Sequence, residues 1–247
     1  MFQRLALTAL HRWGEKEGRK PLVLRGARQV GKTTLVKLFA REFDVFIELN
    51  LEEKENARLF AWEVSFDDLL AGIYAKAGVR MENKRTLIFI DEIQNEPEAV
   101  RSLRYFYEKR PDLHVIAAGA LLESLVGNHI SFPVGRVEYM ALHPCTFTEF
   151  LGALGENVLV EQIERLTVPQ SVHSYVMDLF RKYMIVGEFP EAVANYAKYK
   201  DWVRLNDIFN SLIAGYKDDI EKYAKELQKL GAKNVLISLG GDGAMLI

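Results

Sequence analysis

The sequence predicts an α/β fold with a mostly parallel, helix-covered sheet, followed by a region made only of helices. Three observations support this prediction. From Leu22 to Leu151, short apolar runs alternate with segments of helical periodicity, as in a parallel sheet whose crossovers are helices. One run, Thr86 to Ile90, is apolar almost throughout, which is typical of a strand buried on both faces. From Glu161 onward only helical patterns are expected before the tail.

Length and composition allow one α/β domain and a smaller second unit in this chain of 247 residues. The net charge of −2 gives no overall basic field for nucleic acid. Cys145 is the only cysteine and the five histidines have no metal-ligand spacing, so neither an intrachain disulfide nor a zinc site is expected. No apolar run approaches the roughly 20 residues that span a bilayer, and the start lacks a signal-peptide pattern. We therefore expect a cytoplasmic protein with no membrane partner.

A glycine-rich loop follows the first predicted strand. Arg4 to Lys16 predicts an amphipathic helix, and Leu22 to Leu24 predicts the strand. The residues from Gly26 to Thr33 then follow the spacing GxxxxGK[ST], the Walker A or P-loop pattern. Its glycines let the backbone curl so that successive N–H groups form a nest for an anion, and the next helix directs its positive end at the same place. The predicted nucleotide-binding residues are Gly26, Ala27, Arg28, Gln29, Val30, Gly31, Lys32, Thr33 and Thr34.

Two side chains of this loop have predicted roles toward ATP and Mg²⁺. Lys32 is expected to reach the β- and γ-phosphates, and the Thr33 hydroxyl is expected to bind Mg²⁺. The alternative interpretation is a glycine-containing turn between a strand and a helix, with an exposed lysine.

A second motif ends the apolar strand. Four apolar residues followed by Asp91 and Glu92 form the Walker B pattern, and a carboxylate at this end of a parallel strand lies where ligands of open α/β sheets bind. Asp91 is predicted to hold Mg²⁺ through water. Glu92 is predicted to be catalytic, because a carboxylate there can orient and polarise the attacking water. The alternative is that two carboxylates merely end a strand.

The remaining elements complete the alternation. Further strands are predicted at Val45–Asn50, Leu113–Gly119 and Gly135–Leu142. Further helices are predicted at Glu52–Phe60, Phe66–Ala77, Pro97–Arg110, Leu121–Val126, Thr146–Leu151, Ser171–Val186, Pro190–Lys198 and Trp202–Lys229. Thr146 and Glu149 have the spacing of a capping box. The predicted divisions are a P-loop ATPase core (1–155), a helical, lid-like region (156–225) and an atypical tail (226–247).

Taken in order, the motifs resemble the AAA+-type P-loop ATPases of bacteria and archaea that usually carry a C-terminal nuclease-like domain. The matching segments are Gly26 to Thr33, Asp91-Glu92-Ile93-Gln94, the strand ending at Gly119, Gly135-Arg136, Pro144 with Phe147 and Glu149-Phe150, and Gly187-Glu188-Phe189-Pro190-Glu191. The resemblance covers Met1 to about Lys225. It implies a P-loop NTPase fold of the additional-strand, catalytic-glutamate type with a five-stranded sheet. The strand His114 to Ala118 is then expected between the P-loop strand and the Walker B strand.

Two departures from that family are visible in the sequence. Ala120 stands where the family commonly has a small hydroxyl residue that senses the γ-phosphate, so hydrolysis, or its coupling to motion, is expected to be weakened. The C-terminal nuclease-like domain is missing. Instead, Glu226 to Ile247 resembles an internal segment of ribokinase-type sugar kinases, in particular the tagatose-6-phosphate and fructose-1-phosphate kinases. We interpret this tail as a chimeric or frameshifted end, or a fusion scar, rather than as a second active site.

Arginines and aromatic residues bear on the expected partners. The resemblance makes Arg136 the first candidate for an arginine finger or sensor, with a plain surface arginine as the alternative, and Arg28 is a second arginine on the phosphate side. An arginine acting from a neighbouring subunit would require a homo-oligomer. Tyr105 to Tyr107, next to Lys109, leave nucleic acid open, but aromatic residues on a helix more often pack than stack on bases.

The sequence thus predicts an ATP-binding protein that hydrolyses Mg²⁺–ATP. The alternative is a nucleotide-binding switch with little or no hydrolysis, acting through a protein partner. A sugar kinase, argued from the tail alone, ranks last because a Walker A loop is foreign to ribokinase-type sites.

Overall fold

The structure, a computed structural model, describes residues 2, 4–61, 63–82, 84–119, 132–229, 236–238 and 244–246. Ala120, the predicted helix Leu121–Val126 and the glycine-rich turn of the tail lie outside the described residues.

A five-stranded sheet is the centre of the fold. Its strands are β1 (Leu22–Arg25), β2 (Val45–Asn50), β3 (Thr86–Asp91), β4 (His114–Gly119) and β5 (Glu138–Ala141). They lie in the order β2-β3-β4-β1-β5, and every pairing is parallel. The predicted place of β4, between β1 and β3, is therefore confirmed. Because all strands are parallel, the loop after β1 and the carboxylates after β3 reach the same edge of the sheet.

Helices cover both faces of the sheet. They are α1 (Leu5–Glu15), α2 (Lys32–Phe39), α3 (Lys54–Arg58), α4 (Phe66–Lys76) and α5 (Pro97–Lys109). Leu87 and Phe89 of β3 are buried in a cluster with α1 and α2, whereas Ile88 and Ile90 are buried in a cluster with α4 and α5. Both sides of β3 are thus in the core, which explains why its sequence is a continuous apolar run rather than an alternating one.

The α-helices described after β5 are together called the helical region here, and this region begins before the predicted lid-like region (156–225). It contains α6 (Phe147–Leu154), α7 (Asn157–Glu164), α8 (His173–Val186), α9 (Pro190–Tyr199) and α10 (Trp202–Lys229). Phe150 of α6 is buried with Tyr183 of α8 and Tyr196 of α9, so α6 packs with the helices after it. The predicted capping box is present, since the Thr146 hydroxyl accepts from the Glu149 N–H and the Glu149 carboxylate accepts from the Thr146 N–H.

Four elements differ from the sequence prediction. Helix α3 begins later than Glu52, because the Asn50 side chain accepts a hydrogen bond from the Glu52 N–H and holds a turn there. Strand β5 begins later than Gly135, because that glycine has a φ of +76° within a turn. Helix α8 begins at His173, after a single 3₁₀ turn, and α7 was not predicted.

The tail forms two short antiparallel strands, β6 (Leu236–Ser238) and β7 (Ala244–Leu246). Across the ranges that the structure describes, no helix combines the length and apolarity needed to cross a membrane.

Candidate nucleotide-binding site

The loop between β1 and α2 is built around two glycines. A Cβ atom at Gly26 would lie 2.4 Å from the carbonyl oxygen of Leu142, so the loop begins in direct contact with the backbone that leaves β5. Gly31 has a φ of +89° and is the residue before the first turn of α2. Gln29 also has a positive φ, of 63°. The loop thus turns sharply and places the N-terminal end of α2 at the edge of the sheet. There the positive end of the helix dipole and its free N–H groups favour binding of an anion.

Lys32 lies under this loop. Its side chain is buried, with 7% of the residue exposed, and its ammonium group donates to the carbonyl oxygens of Gly26 at 2.9 Å and Ala27 at 2.8 Å. Burial lowers the pKa of Lys32, while the nearby carboxylates of Glu92 and Asp91 oppose that shift. The ammonium group is therefore held against the loop by two neutral carbonyl oxygens, for which anionic oxygens would be stronger partners.

Thr33 and Asp91 meet at the same edge, although 58 positions separate them in the chain. The Thr33 hydroxyl donates to Asp91 Oδ2 at 2.6 Å, and Asp91 Oδ1 accepts from the Glu92 N–H at 3.0 Å. Burial raises the pKa of Asp91, and the hydrogen bond from Thr33 opposes that shift.

These two side chains fit Mg²⁺. Both offer oxygen donors, and a divalent cation would compensate the buried carboxylate of Asp91. Among the described residues, no group of three or more His, Cys, Asp or Glu could hold a metal. Mg²⁺ is usually held by one or two protein ligands, with water and substrate phosphates completing its coordination.

Glu92 turns the chain away from the end of β3. It has left-handed backbone angles, φ 53° and ψ 44°, which are unusual for a residue with a side chain. Its carboxylate accepts a hydrogen bond from the Gln94 side-chain amide. From the sequence, Gln94 was predicted only as part of a motif and without a role.

A cleft of about 650 Å³ joins these groups. Lys32, Thr33 and Glu92 lie at its polar part. Its apolar lining includes Phe2 from the N-terminal segment, Leu38 of α2, and Pro190 and Ala194 of α9. These apolar residues were not predicted at the site. Each is either far in the chain from the P-loop motif or indistinguishable in the sequence from other apolar residues of its helix.

The two candidate arginines occupy different places. Arg28 lines the cleft. Arg136 precedes β5, whose first residue pairs in register with Leu22 at the start of β1, so it lies at the opposite end of the sheet from the P-loop. Its guanidinium is 3.4 Å from the Glu108 carboxylate. Arg136 therefore does not meet Lys32 within one chain, and its predicted role stays a prediction that requires a second chain.

The aromatic triplet on α5 does not form a single exposed platform. Phe106 is buried in the core, while Tyr105 is partly exposed with the Lys109 ammonium 5.7 Å from its ring centre. This arrangement agrees with the packing interpretation of the triplet.

Comparisons with known proteins bear on the fold and the family of the chain. No curated protein matches the chain. Among solved structures, the chain is similar to the Walker-type ATPase PABY2304 of Pyrococcus abyssi, with a TM-score of 0.57 and 17% sequence identity over 92% of this chain and 77% of that chain. At this identity the similarity shows the fold alone.

Two further structures are more distant. The similarity to C. elegans PCH-2 has a TM-score of 0.42 and 16% identity, over 79% of this chain and 61% of that one. The similarity to Drosophila ORC bound to DNA has a TM-score of 0.48 and 17% identity, over 84% and 66%. Neither supports a functional argument.

The family comparison is decisive, because residues 18–151, more than half of the chain, match the sequence family described as "AAA domain". The chain belongs to the AAA domain family of ATPases.

Proposed function

We propose that this protein binds Mg²⁺–ATP in the cleft and hydrolyses it to ADP and phosphate. Membership of the AAA domain family implies ATP binding, usually with Mg²⁺. The observation that carries the proposal is the 2.6 Å contact between Thr33 Oγ1 and Asp91 Oδ2, with Lys32 and Glu92 lining the same cleft. This contact joins the Walker A and Walker B residues at one point.

The cleft divides into a phosphate part and a base part. The N–H groups of the loop and the N-terminal end of α2 would bind the phosphates. Lys32 would exchange the carbonyl oxygens of Gly26 and Ala27 for phosphate oxygens, which are the stronger charge-assisted acceptors. Phe2 and Pro190 would pack against the adenine ring.

Glu92 is the proposed catalytic residue. Its carboxylate would accept a hydrogen bond from the attacking water and so orient and polarise it toward the γ-phosphorus. The water oxygen bonds to the γ-phosphorus and gives a proton to the Glu92 carboxylate, while the bond between that phosphorus and the bridging oxygen breaks and ADP leaves with the bridging oxygen. Thr33 and Asp91 would hold Mg²⁺, which, when bound, neutralises charge on the phosphate oxygens.

An arginine from a second copy would complete the site. Arg136 cannot serve its own P-loop, because the two lie at opposite ends of the sheet. Arginine fingers contribute about 10³–10⁵ in rate, so an isolated chain should turn over very slowly. We therefore propose that hydrolysis requires a homo-oligomer.

The test is Mg²⁺-dependent ATP turnover across protein concentrations. Turnover per chain should rise with concentration, Glu92→Gln should abolish turnover while ATP still binds, and Lys32→Ala should lose binding. A mixture of Lys32→Ala and Arg136→Ala chains should recover part of the activity, because some interfaces then combine an intact loop with an intact arginine. Wild-type turnover that survives unchanged in Glu92→Gln would contradict the assignment of Glu92.

The alternative function is a nucleotide-binding switch that acts through a protein partner. The observation that favours it is Ala120, whose methyl group cannot hydrogen-bond to a γ-phosphate. ATP binding that depends on Lys32, without turnover at any concentration, would establish the switch instead. The comparisons lend no support to the sugar-kinase resemblance of the tail, which stays a prediction.

A further inference from the structure

Arg4 is buried at a junction of three segments. Only 7% of the residue is exposed, and its guanidinium donates in three directions. Nη1 donates to the carbonyl oxygen of Val30 at 3.1 Å, Nη2 to that of His143 at 2.7 Å, and Nε to Glu149 Oε1 at 2.9 Å. One side chain thus joins the P-loop, the segment after β5 and the start of α6.

The contact with Val30 bears on the phosphate-binding loop. The carbonyl of Val30 and the N–H of Gly31 belong to one planar trans peptide, so they point in opposite directions. By holding the carbonyl, Arg4 fixes the direction of the Gly31 N–H, one of the donors that the loop presents to an anion. Gly31 itself is in the left-handed region, which glycine adopts without a Cβ penalty, so the contact of Arg4 with Val30 restricts a peptide that glycine would otherwise leave free to turn.

The contact with Glu149 bears on the helical region. This carboxylate is also buried, with 6% exposed, and it accepts from the Leu5 N–H at 2.8 Å and the Thr146 N–H at 2.9 Å. It therefore caps α6 and binds Arg4 at once. A buried ion pair usually adds little net stability, because desolvation offsets its attraction, so stability alone does not account for its place beside the P-loop.

A second connection runs in parallel. Pro190, the first residue of α9, lies 3.6 Å from the position that a Cβ atom of Gly31 would occupy. The Glu188 carbonyl accepts from the Cys145 N–H at 2.8 Å, and the Tyr183 hydroxyl donates to the Cys145 carbonyl at 2.8 Å. Helix α8 and the segment that leads to Pro190 are thus tied to the segment that Glu149 caps.

We propose that Arg4 is a positioning residue that sets the Val30–Gly31 peptide for phosphate binding and, through Glu149, couples nucleotide binding to the helical region. The proposal rests on nucleotide binding in the cleft, as in the proposed function, but not on hydrolysis. Coupling free energies are reciprocal. If the Arg4–Glu149 pair strengthens nucleotide binding by some free energy, bound nucleotide should stabilise the packing of α6 by the same free energy.

The test compares Arg4→Lys, Glu149→Gln and the double variant. Binding of Mg²⁺ with the non-hydrolysable analogue AMP-PNP is measured by calorimetry on folded protein, and stability is measured separately by urea unfolding. A lysine can pair with Glu149 but cannot also reach Val30 and His143. Arg4→Lys should therefore weaken AMP-PNP binding about tenfold, as expected for loss of a hydrogen bond to a charged group.

The double variant tests the coupling. Glu149→Gln should weaken AMP-PNP binding about threefold in the protein that keeps Arg4. In the Arg4→Lys background the same substitution should have no effect, since the effects of substitutions at two residues in contact are not additive. AMP-PNP should also slow amide exchange in α6 of the wild type more than in Arg4→Lys. Additive effects of the two substitutions on AMP-PNP affinity would overturn the coupling.

Arg19→Lys is the matched control. Arg19 Nη2 also donates to backbone carbonyls, those of Pro111 at 3.3 Å and Asp112 at 2.9 Å, but at the opposite end of the sheet. This variant should lose stability and keep wild-type affinity for AMP-PNP. Unchanged affinity in Arg4→Lys, or an equal loss in Arg19→Lys, would overturn the positioning role.

The outcomes separate this inference from the proposed function. If the wild type binds AMP-PNP but does not turn over ATP, hydrolysis fails and the positioning role is still decided by the variants. If the wild type does not bind AMP-PNP, both proposals are overturned.

Discussion

Replacing Gly26 with alanine tests whether the P-loop is fitted against the chain that leaves β5. The added Cβ atom would lie 2.4 Å from the Leu142 carbonyl oxygen and 3.1 Å from Val30 Cγ2. The first contact is with backbone, which cannot rotate away as a side chain can. Either the loop or the segment after β5 must move by about 1 Å to restore an ordinary van der Waals distance.

The size of the effect follows from what that movement disturbs. Overpacking a well-packed site costs about 1–3 kcal/mol. The Leu142 N–H also donates to the Arg25 carbonyl at 2.7 Å, and weakening that hydrogen bond costs about 1 kcal/mol more. We therefore expect Gly26→Ala to lower the free energy of unfolding by about 2–4 kcal/mol. Because Lys32 donates to the Gly26 carbonyl, nucleotide affinity should fall as well.

Urea unfolding at pH 7, beside AMP-PNP binding, measures both effects. Gly152→Ala is the matched control, since Gly152 lies inside α6, is exposed and has no atom within 4 Å of its Cβ position. There the same substitution should stabilise the protein by about 0.5–1 kcal/mol, because alanine favours a helix interior. A Gly26→Ala variant as stable as the wild type, with full AMP-PNP affinity, would refute the close approach of the loop to Leu142.

Two further predictions concern a buried histidine and the partner of Glu92, the proposed catalytic residue. His114 is 5% exposed, its Nε2 lies 3.0 Å from the Gly14 carbonyl oxygen, and its Nδ1 faces the Arg19 guanidinium. Burial lowers the pKa of His114 from 6.5 to about 4. On acidification the unfolded chain takes up this proton before the folded chain does, so the free energy of unfolding should fall by on the order of 3 kcal/mol from about pH 6.5 to pH 4. Urea titrations of His114→Gln should lack this loss. A variant with the same pH profile as the wild type would contradict the lowered pKa of His114. Gln94→Leu removes the amide that donates to Glu92, so ATP turnover should fall about 10- to 100-fold with AMP-PNP affinity unchanged. Full turnover in that variant would show that Gln94 does not position the carboxylate.

The meeting of the P-loop with the end of β3 could be predicted from the sequence, because each of the two motifs is a short, continuous pattern. The spacing from Gly26 to Thr33 specifies a loop that only glycines permit, and a run of apolar residues before Asp91 specifies a central parallel strand. Parallel strands then bring both motifs to one edge without further information. The 2.6 Å contact of Thr33 with Asp91 is the result.

The other contacts could not be predicted because their partners are remote. Arg4 and Glu149 are 145 positions apart, and Glu149 already had a local explanation in its capping box. Nothing near Arg4 distinguishes a buried arginine from a solvated one at the start of a helix. Helix α7 was missed for a related reason: its N-cap, Glu156, makes no side-chain capping bond, and the helix depends on packing of Leu159 against other helices.

The separation of Lys32 from Arg136 also limits how copies of this chain can cooperate. The two side chains lie at opposite ends of the same parallel sheet, so Arg136 can reach a loop only when that loop belongs to another copy. A two-fold dimer permits this contact when the two sheets lie antiparallel, because Arg136 of each copy then faces the loop of the other. A heterologous interface permits it as well, and generates a closed ring or an open filament. If Arg136 acts in hydrolysis, therefore, turnover per chain should level off where a dimer is complete for the two-fold arrangement, and should continue to rise beyond that concentration for a ring or filament.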